Sequence, residues 1–191
     1  TALYGLEKGD GLLGRKVLIT GGTGGVGHLG IQLANIGGAF VVATVRNAEQ
    51  TKLVREAGAH EVVIGDDASA IGRHGPYDII LDGVGGSVLG AAASQMSKNG
   101  ICVIYGATAG GEVTFSVRAF YATGGARLYG FILFHELRTV PASVGLHRLA
   151  TLVADGRLRP LIDTEVPLAK ISELSQKLTE RKFTGKAVLT F

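Results

Sequence analysis

Short apolar runs alternate along this chain with segments whose apolar residues recur at helical spacing. Continuous apolar runs predict six strands, over 16–20, 39–45, 61–64, 77–82, 101–105 and 127–133. Helical spacing predicts helices over 25–37, 48–57, 87–97, 116–122 and 135–155, the last of them broken near Pro141, since proline removes a helix hydrogen bond. Strands buried on both faces need no polar alternation, and their regular alternation with helices is typical of right-handed βαβ units. We therefore predict an α/β fold with a doubly wound, six-stranded parallel sheet.

The last part of the chain has a different pattern of apolar and polar residues. It predicts a strand over 161–166, a helix over 169–181 and a final strand over 186–190. No change in composition marks a linker before it. We therefore divide the chain into a main domain over 1–155 and a strand-helix-strand tail over 156–191 that packs against the same body.

Composition narrows the class of protein. The 191 residues are 46% apolar and 18% charged, and the net charge of +3 comes from dispersed Lys and Arg side chains, so we expect a globular chain with no nucleic-acid partner. Cys102 is the one cysteine, which excludes an internal disulfide and predicts a reducing, cytoplasmic setting. We expect no membrane partner, because no apolar run approaches the roughly 18 residues that a spanning helix needs.

The most informative stretch is KVLITGGTGGVG over 16–27. Gly22, Gly24 and Gly27 have the G-x-G-x-x-G spacing between a predicted strand and a predicted helix. In such a turn Gly22 would make the tight bend, Gly24 would let the backbone approach a diphosphate, and Gly27 would let the helix pack closely. The diphosphate would lie on free N–H groups of a helix that starts near Gly25. The pattern predicts dinucleotide binding.

The end of the second predicted strand distinguishes NAD from NADP. NAD-binding sheets usually place an acidic residue about 20 residues after the glycines, and Thr44, Arg46 and Asn47 stand in that region instead. Arg46 can hold a 2′-phosphate with its planar guanidinium. We therefore predict NADP(H) as the cofactor, although Gln50 stands where NADP-preferring relatives often carry a lysine.

Ligands of open α/β sheets lie beyond the carboxyl ends of the strands. The fourth predicted strand ends at Asp82 and continues into Gly83, Val84 and Gly85, while the fifth runs into 105–106. Backbone atoms of these glycine-rich loops could approach the nicotinamide ribose. We interpret Asp82 as a strand-end carboxylate that caps the loop after it.

Five segments in order extend the argument to the whole chain: the glycine turn with the strand after it over 21–45, EAGAHEVV over 56–63, YDIILDGVGG over 77–86, GICVIYGATAGG over 100–111 and TGKAVLTF over 184–191. The chain resembles the medium-chain dehydrogenase/reductase superfamily in its zinc-independent, quinone oxidoreductase-like branch. The resemblance implies an NADPH-binding Rossmann domain whose N-terminal GroES-like catalytic domain is missing and whose tail strands would normally return to that domain. It also implies hydride transfer from NADPH to a quinone or an activated alkene.

The same resemblance implies main-chain hydrogen bonds from 131–133 to the nicotinamide carboxamide, and a homodimer through the strand over 127–133. No residue of this chain is a convincing acid or base, so we predict no catalytic residue, and no metal ligands. The predicted cofactor-binding residues are Gly22, Thr23, Gly24, Gly25, Val26, Gly27, Thr44, Arg46, Gly83, Val84, Gly85, Tyr105, Gly106, Phe131, Ile132 and Leu133.

Three alternatives remain open at this point. The turn also fits short-chain dehydrogenases, but Tyr4 and Lys8 form the one Tyr-x-x-x-Lys pair and precede the turn. A zinc-dependent alcohol dehydrogenase would carry its metal ligands upstream of Thr1. A non-catalytic NADPH-binding or interaction module is the alternative outside enzymes.

Overall fold

The computed structural model describes residues 1–65, 67–180 and 182–191. Six strands form one parallel sheet in the order β3-β2-β1-β4-β5-β6. They are β1 Lys16–Ile19, β2 Phe40–Val45, β3 Glu61–Ile64, β4 Tyr77–Asp82, β5 Met96–Ile104 and β6 Arg127–Gly130. The predicted doubly wound, six-stranded parallel sheet is confirmed.

Helices cover both faces of the sheet. They are α1 Ala2–Glu7, α2 Gly27–Ile36, α3 Thr51–Glu56, α4 Ala68–His74, α5 Gly86–Ala93, α6 Val117–Ala122, α7 Leu133–Glu136, α8 Ala142–Ala154 and α9 Ile171–Thr179, with short 3₁₀ turns at Ala48–Gln50 and Leu168–Lys170. Helix α4 was not predicted from the sequence. Its start is fixed by Asp67, whose carboxylate accepts hydrogen bonds from the N–H groups of Ser69 and Ala70. Within the part of the chain that the structure describes, every helix is too short or too polar to cross a lipid bilayer.

Two of the predicted boundaries differ most from the structure. The helix predicted over 87–97 ends at Ala93, and β5 begins at Met96. The strand predicted over 127–133 ends at Gly130, and only the N–H of Phe131 still donates to β5, to the carbonyl of Ile104 at 2.8 Å. The carbonyl of Ile132 accepts from two amides of the next turn, which turns the chain into α7.

The core lies on both sides of the sheet because successive strand residues face opposite ways. Along β1, Val17 and Ile19 enter one buried cluster and Leu18 enters the other. All three side chains have no solvent exposure. Helix α2 packs on the first side through Ile31, and α5 packs on the second side. Burial on both faces explains why the strands read as continuous apolar runs.

The tail forms a separate two-stranded parallel sheet from β7 Ile162–Pro167 and β8 Lys186–Thr190. It is tied to the main sheet's elements by hydrogen bonds. The side chain of Gln32 on α2 donates to the carbonyl of Arg159 at 2.9 Å and accepts from the N–H of the same residue at 2.8 Å. The tail therefore packs against α2. The domain boundary at residue 155 stays a prediction.

The N-terminal helix α1 packs beside α2 and over β4, and side-chain contacts tie it to α7 and α8. The hydroxyl of Tyr4 donates to the carbonyl of Pro141 and accepts from the N–H of Gly145, whereas Lys8 forms an ion pair with Glu136. Tyr4 and Lys8 therefore have different partners. They do not form the acid/base pair of a short-chain dehydrogenase.

Candidate functional site

A cleft of about 610 Å³ opens at the carboxyl ends of β1, β2, β4 and β5. Volumes of this size are typical of sites for small molecules and cofactors. Its lining residues are Thr20, Gly21, Thr23, Gly24, Gly25, Val26, Gly27, Thr44, Val45, Arg46, Gly65, Gly83, Val84, Val88, Tyr105, Thr108, Ala109, Leu178, Phe183 and Gly185.

The glycine turn between β1 and α2 forms one wall of the cleft. Gly21 has a left-handed backbone, with φ 63°. The N–H of Gly24 donates to the carbonyl of Gly21 at 3.0 Å, so the bend spans residues 21–24 and includes Gly22. Gly22 is also enclosed by apolar side chains of α2 and α3, since a Cβ atom placed on it would lie 3.0 Å from Val54 and 3.1 Å from Ile31.

Gly24 and Gly27 need to be glycine for different reasons. A Cβ atom on Gly27 would clash with the carbonyl oxygen of Gly21, so α2 starts in direct contact with the turn. A Cβ atom on Gly24 would meet only that same oxygen, at 3.3 Å. This face of Gly24 is otherwise open. A ligand that approaches the backbone closely requires such an open face.

The start of α2 presents free hydrogen-bond donors. The helix begins at Gly27, two residues later than the predicted start near Gly25. The backbone N–H groups of Gly25, Val26 and Gly27 donate to no other residue in the described ranges. Such N–H groups, together with the positive end of the helix dipole, make a binding place for an anion.

Thr44 and Arg46 lie where β2 reaches the cleft. Thr44 is buried, and its hydroxyl accepts a hydrogen bond from the N–H of Gly21 at 3.1 Å, so it fixes the turn. The N–H of Arg46 donates to the side chain of Gln50 at 3.0 Å. The Arg46 guanidinium is exposed and has no hydrogen-bond or ion-pair partner within the described residues. It is the one charged side chain among the described residues that line the cleft.

A buried polar pair supports the floor of the site. Asp82 accepts a hydrogen bond from the Thr20 hydroxyl at 2.6 Å and another from the N–H of Gly85 at 3.0 Å. The Thr20 hydroxyl in turn accepts from the N–H of Gly83 at 3.1 Å. Burial raises the pKa of the Asp82 carboxyl, although these hydrogen bonds partly oppose the shift. As we interpreted it from sequence, Asp82 caps the loop after β4.

The loops after β4 and β5 pack on each other through glycines. A Cβ atom on Gly83 would lie 2.5 Å from the hydroxyl oxygen of Tyr105, and one on Gly106 would lie 3.0 Å from the carbonyl oxygen of Gly83. The carbonyl of Val84 accepts a hydrogen bond from the N–H of Ala109 at 2.8 Å. Burial, together with the nearby charge of Asp82, raises the pKa of Tyr105. The phenol therefore stays protonated at neutral pH.

The structure brings ten of the sixteen predicted residues to the lining of the cleft. They are Thr23, Gly24, Gly25, Val26, Gly27, Thr44, Arg46, Gly83, Val84 and Tyr105. Three others support the lining from behind: Gly22 packs under the turn, Gly106 contacts Gly83, and Gly85 pairs with Gly110 in an isolated bridge.

The last three predicted residues lie elsewhere, because the strand that should have carried them ends early. Phe131 is buried in the core, and α7 starts at Leu133. Ile132 is 65% exposed at the start of that helix. None of the three lines the cleft.

Sequence reasoning missed several residues that line the cleft. Thr20, Gly21, Val45, Gly65, Val88, Thr108 and Ala109 belong to the ends of the main sheet's strands, to the loops after them and to α5. Leu178, Phe183 and Gly185 come from the tail, and only the quoted segment TGKAVLTF had pointed to it. In the described part of the chain, no group of three or more His, Cys, Asp or Glu side chains could hold a metal ion.

The profile of a protein family described as zinc-binding dehydrogenase matches residues 25–146. The chain belongs to this family. The resemblance to the medium-chain dehydrogenase/reductase superfamily is confirmed, and the chain is the cofactor-binding part of such a protein. The described residues offer no zinc site, so the family description does not identify a metal in this part of the protein.

Two plant relatives illustrate the match. The chloroplast envelope quinone oxidoreductase homolog of Arabidopsis thaliana is 27% identical over 199 residues, which cover 99% of this chain and 58% of the relative. The chloroplastic NADPH-dependent alkenal/one oxidoreductase of the same plant is 28% identical over 194 residues, which cover 99% of this chain and 44% of the relative. The chain thus spans about half the length of the curated relatives that it matches.

A mycobacterial structure complexed with NADPH extends the likeness to the fold. Its superposition on this chain has a TM-score of 0.87 at 28% sequence identity. The match covers 100% of this chain and 61% of the mycobacterial chain. The similarity therefore includes the glycine turn, the sheet and the tail.

Proposed function

We propose that this chain is the NADPH-binding part of a reductase that transfers hydride to a quinone or to an activated alkene. The observation that carries the proposal is the open glycine turn beside an unpartnered arginine. Gly24 leaves room for a diphosphate, and Arg46 offers a free guanidinium where an acidic residue would favour NAD. The relatives that carry quinone and alkenal/one reductase names support the substrate class.

The residues of this chain act by binding and orienting. When bound, NADPH supplies a hydride from C4 of its nicotinamide. The N–H groups at the start of α2 suit the diphosphate, and Arg46 suits the 2′-phosphate. The loops after β4 and β5, held by Asp82 and Tyr105, form the opposite wall of the cleft. No residue of the cleft is assigned as an acid or base, so this part of the protein contributes positioning.

Substitution of Arg46 by alanine tests the cofactor assignment. We expect Arg46→Ala to weaken NADPH binding by about 1.5–3 kcal/mol, the range for a hydrogen bond to a charged group. NADH affinity should hardly change, since NADH lacks the 2′-phosphate. Calorimetric titration of both cofactors into both proteins measures this. An equal loss for the two cofactors, or tighter NADH binding by the unaltered chain, would contradict the assignment.

We also propose a homodimer through β6 in a cytoplasmic setting. Strand β6 is last in the sheet, and its Leu128 is 41% exposed. Because the N–H of Phe131 points to β5, the N–H of Leu128 points away from it by strand alternation. An edge of this kind can pair with its copy across a two-fold axis. The positive charge of Arg127 does not strongly oppose pairing of the two β6 strands, because its guanidinium lies 3.6 Å from the carboxylate of Asp10.

Leu128→Pro tests the dimer, because it removes an outward N–H and keeps the bonds to β5. Light scattering should report a dimer for the unaltered chain and a monomer for this variant. A monomer for the unaltered chain at tens of micromolar would refute the dimer. The cytoplasmic setting stays a prediction, supported by the single buried Cys102.

A further inference from the structure

A second depression lies on the edge of the sheet opposite the cleft, at the amino ends of β1, β4, β5 and β6. Its volume is about 360 Å³, which is within the range of sites for small molecules. The charged side chains that line it are three cations and two carboxylates: Arg15, Lys98, Arg127, Asp10 and Asp78. Five charges around one concave surface indicate a polar ligand.

The three cations have hydrogen-bond donors to spare. The guanidinium of Arg15 lies 3.6 Å from a carboxylate oxygen of Asp78. The guanidinium of Arg127 lies 3.6 Å from a carboxylate oxygen of Asp10. Contacts of this length are ion pairs without a hydrogen bond. Within the described ranges neither guanidinium donates a hydrogen bond, and the ammonium of Lys98 has no partner.

The two carboxylates differ in how firmly they are held. Asp78 accepts hydrogen bonds from the N–H of Lys16 and from the hydroxyl of Ser97, both at 2.8 Å, so its carboxylate is a fixed part of the wall. The side chain of Asp10 is 82% exposed. An exposed ion pair such as that of Asp10 contributes only about 0–1 kcal/mol. An entering anion can therefore displace Asp10 from Arg127 at small cost.

The rim of the depression has an unusual backbone. In the described part of the chain, Asp10 and Asn99 are the two residues other than glycine with positive φ, at 55° and 59°, and both line this depression. The N–H of Asn99 donates to the carbonyl of Gly124 at 2.9 Å, and its side-chain oxygen lies where a Cβ atom on Gly125 would clash. Such conformations cost energy and persist where the surrounding fold holds them. The rim is therefore shaped before a ligand binds.

We propose that this depression binds a compact oxyanion, either a phosphate ion or the phosphate group of a small metabolite. Guanidinium and ammonium groups form their strongest hydrogen bonds with charged oxygens. Three separate cations suit a tetrahedral anion, because each cation can meet a different oxygen. The proposal does not depend on the proposed function, since the two sites lie at opposite edges of the sheet.

Titration of the 191-residue chain with inorganic phosphate, followed by amide NMR at constant ionic strength, tests the site. Amides over 9–15, 97–99 and 125–127 should shift together, with a dissociation constant of about 1 mM or less. Lys98→Ala should weaken binding by about tenfold, because a charged donor is lost. Asp10→Asn should strengthen it by about two- to fivefold, since the competing carboxylate is removed and asparagine tolerates the left-handed backbone.

Lys52→Ala is the matched control for Lys98→Ala. Lys52 is an exposed lysine that pairs with Glu56 on α3 at 3.8 Å, so its replacement should leave phosphate binding unchanged. A merely structural role of the depression would not give opposite signs for Lys98→Ala and Asp10→Asn.

Glycerol 3-phosphate distinguishes the two sources of the anion. Tighter binding than that of inorganic phosphate would identify the phosphate group of a larger metabolite, and equal or weaker binding would identify the free ion. Equal affinity of Lys98→Ala and the unaltered chain would refute the site, as would the absence of shifts in the three segments up to roughly 20 mM phosphate. Shifts confined to 21–27 would refute it too, while they would agree with the proposed function of the glycine turn.

Discussion

Replacement of Thr20 by valine removes one hydroxyl from the floor of the site and keeps the shape of the side chain. Thr20 and Asp82 have no solvent exposure. The Thr20 hydroxyl donates to Asp82 at 2.6 Å and accepts from the N–H of Gly83 at 3.1 Å. Thr20→Val therefore leaves a carboxyl oxygen and a backbone N–H short of one partner each.

The expected loss of stability follows from these two contacts. A buried polar group that loses its partner costs about 1–3 kcal/mol. Asp82 keeps its bond from Gly85, so we expect a total loss of about 2–4 kcal/mol. For a domain of this size, 1 kcal/mol shifts Tm by roughly 2–4 °C, which gives a decrease of about 4–16 °C.

The loss should also depend on pH. Burial raises the pKa of Asp82 in the folded protein, and the hydrogen bond from Thr20 partly opposes this. A raised carboxyl pKa means that the folded state prefers the protonated form, so stability falls as the pH rises from the unfolded value through the folded value. Without Thr20 the folded pKa rises further. The destabilisation by Thr20→Val should therefore be larger at pH 8 than at pH 5.

Urea unfolding at pH 5 and pH 8 measures both effects. Thr179→Val is the control, since within the described residues the Thr179 hydroxyl donates to the carbonyl of Ser175 on the exposed helix α9. We expect it to change the free energy of unfolding by less than about 0.5 kcal/mol at either pH. The reasoning is refuted if Thr20→Val behaves like this control, or if its effect is the same at both pH values.

Two further predictions concern the glycine turn. Gly24→Val should abolish dinucleotide binding with a native circular dichroism spectrum, because the side chain fills the open face of the turn, and unchanged NADPH affinity would show that the turn is only structural. Gly27→Ala should destabilise the fold by about 1–3 kcal/mol, since its Cβ atom clashes with a backbone carbonyl. Gly111→Ala, where a Cβ atom meets nothing within 4 Å, should stay within about 0.5 kcal/mol in the same thermal melts.

The strands could be predicted because parallel strands that are buried on both faces have continuous apolar sequences. Val17, Leu18 and Ile19 are all enclosed, so the run is apolar without interruption. Helix α4 was missed because only Ala70 and Ile71 are buried in it, which is too few for a helical repeat. The end of β6 could not be predicted from the sequence, because the apolar residues over 131–133 continue past the end of the strand into α7.

Some residues of the site belong to local sequence motifs, and others reach the site only through contacts between distant parts of the chain. The glycine turn is a local motif, so its spacing identified the wall of the cleft, although the left-handed backbone at Gly21 was not predicted. The contribution of Phe183 and Gly185 depends on the return of the tail across α2. Nothing within a short window of sequence specifies that return, so these residues were found only from the fold.

Gln32 makes the attachment of the tail depend on the chemical identity of one functional group. Its side-chain amide both donates to and accepts from the backbone of Arg159, as a peptide group does in a strand. A carboxylate of the same shape has no donor and would place oxygen against oxygen. Deamidation of Gln32 would therefore turn this attachment into a repulsion, so the chemical ageing of one buried side chain would weaken the hold on the tail that lines the cleft.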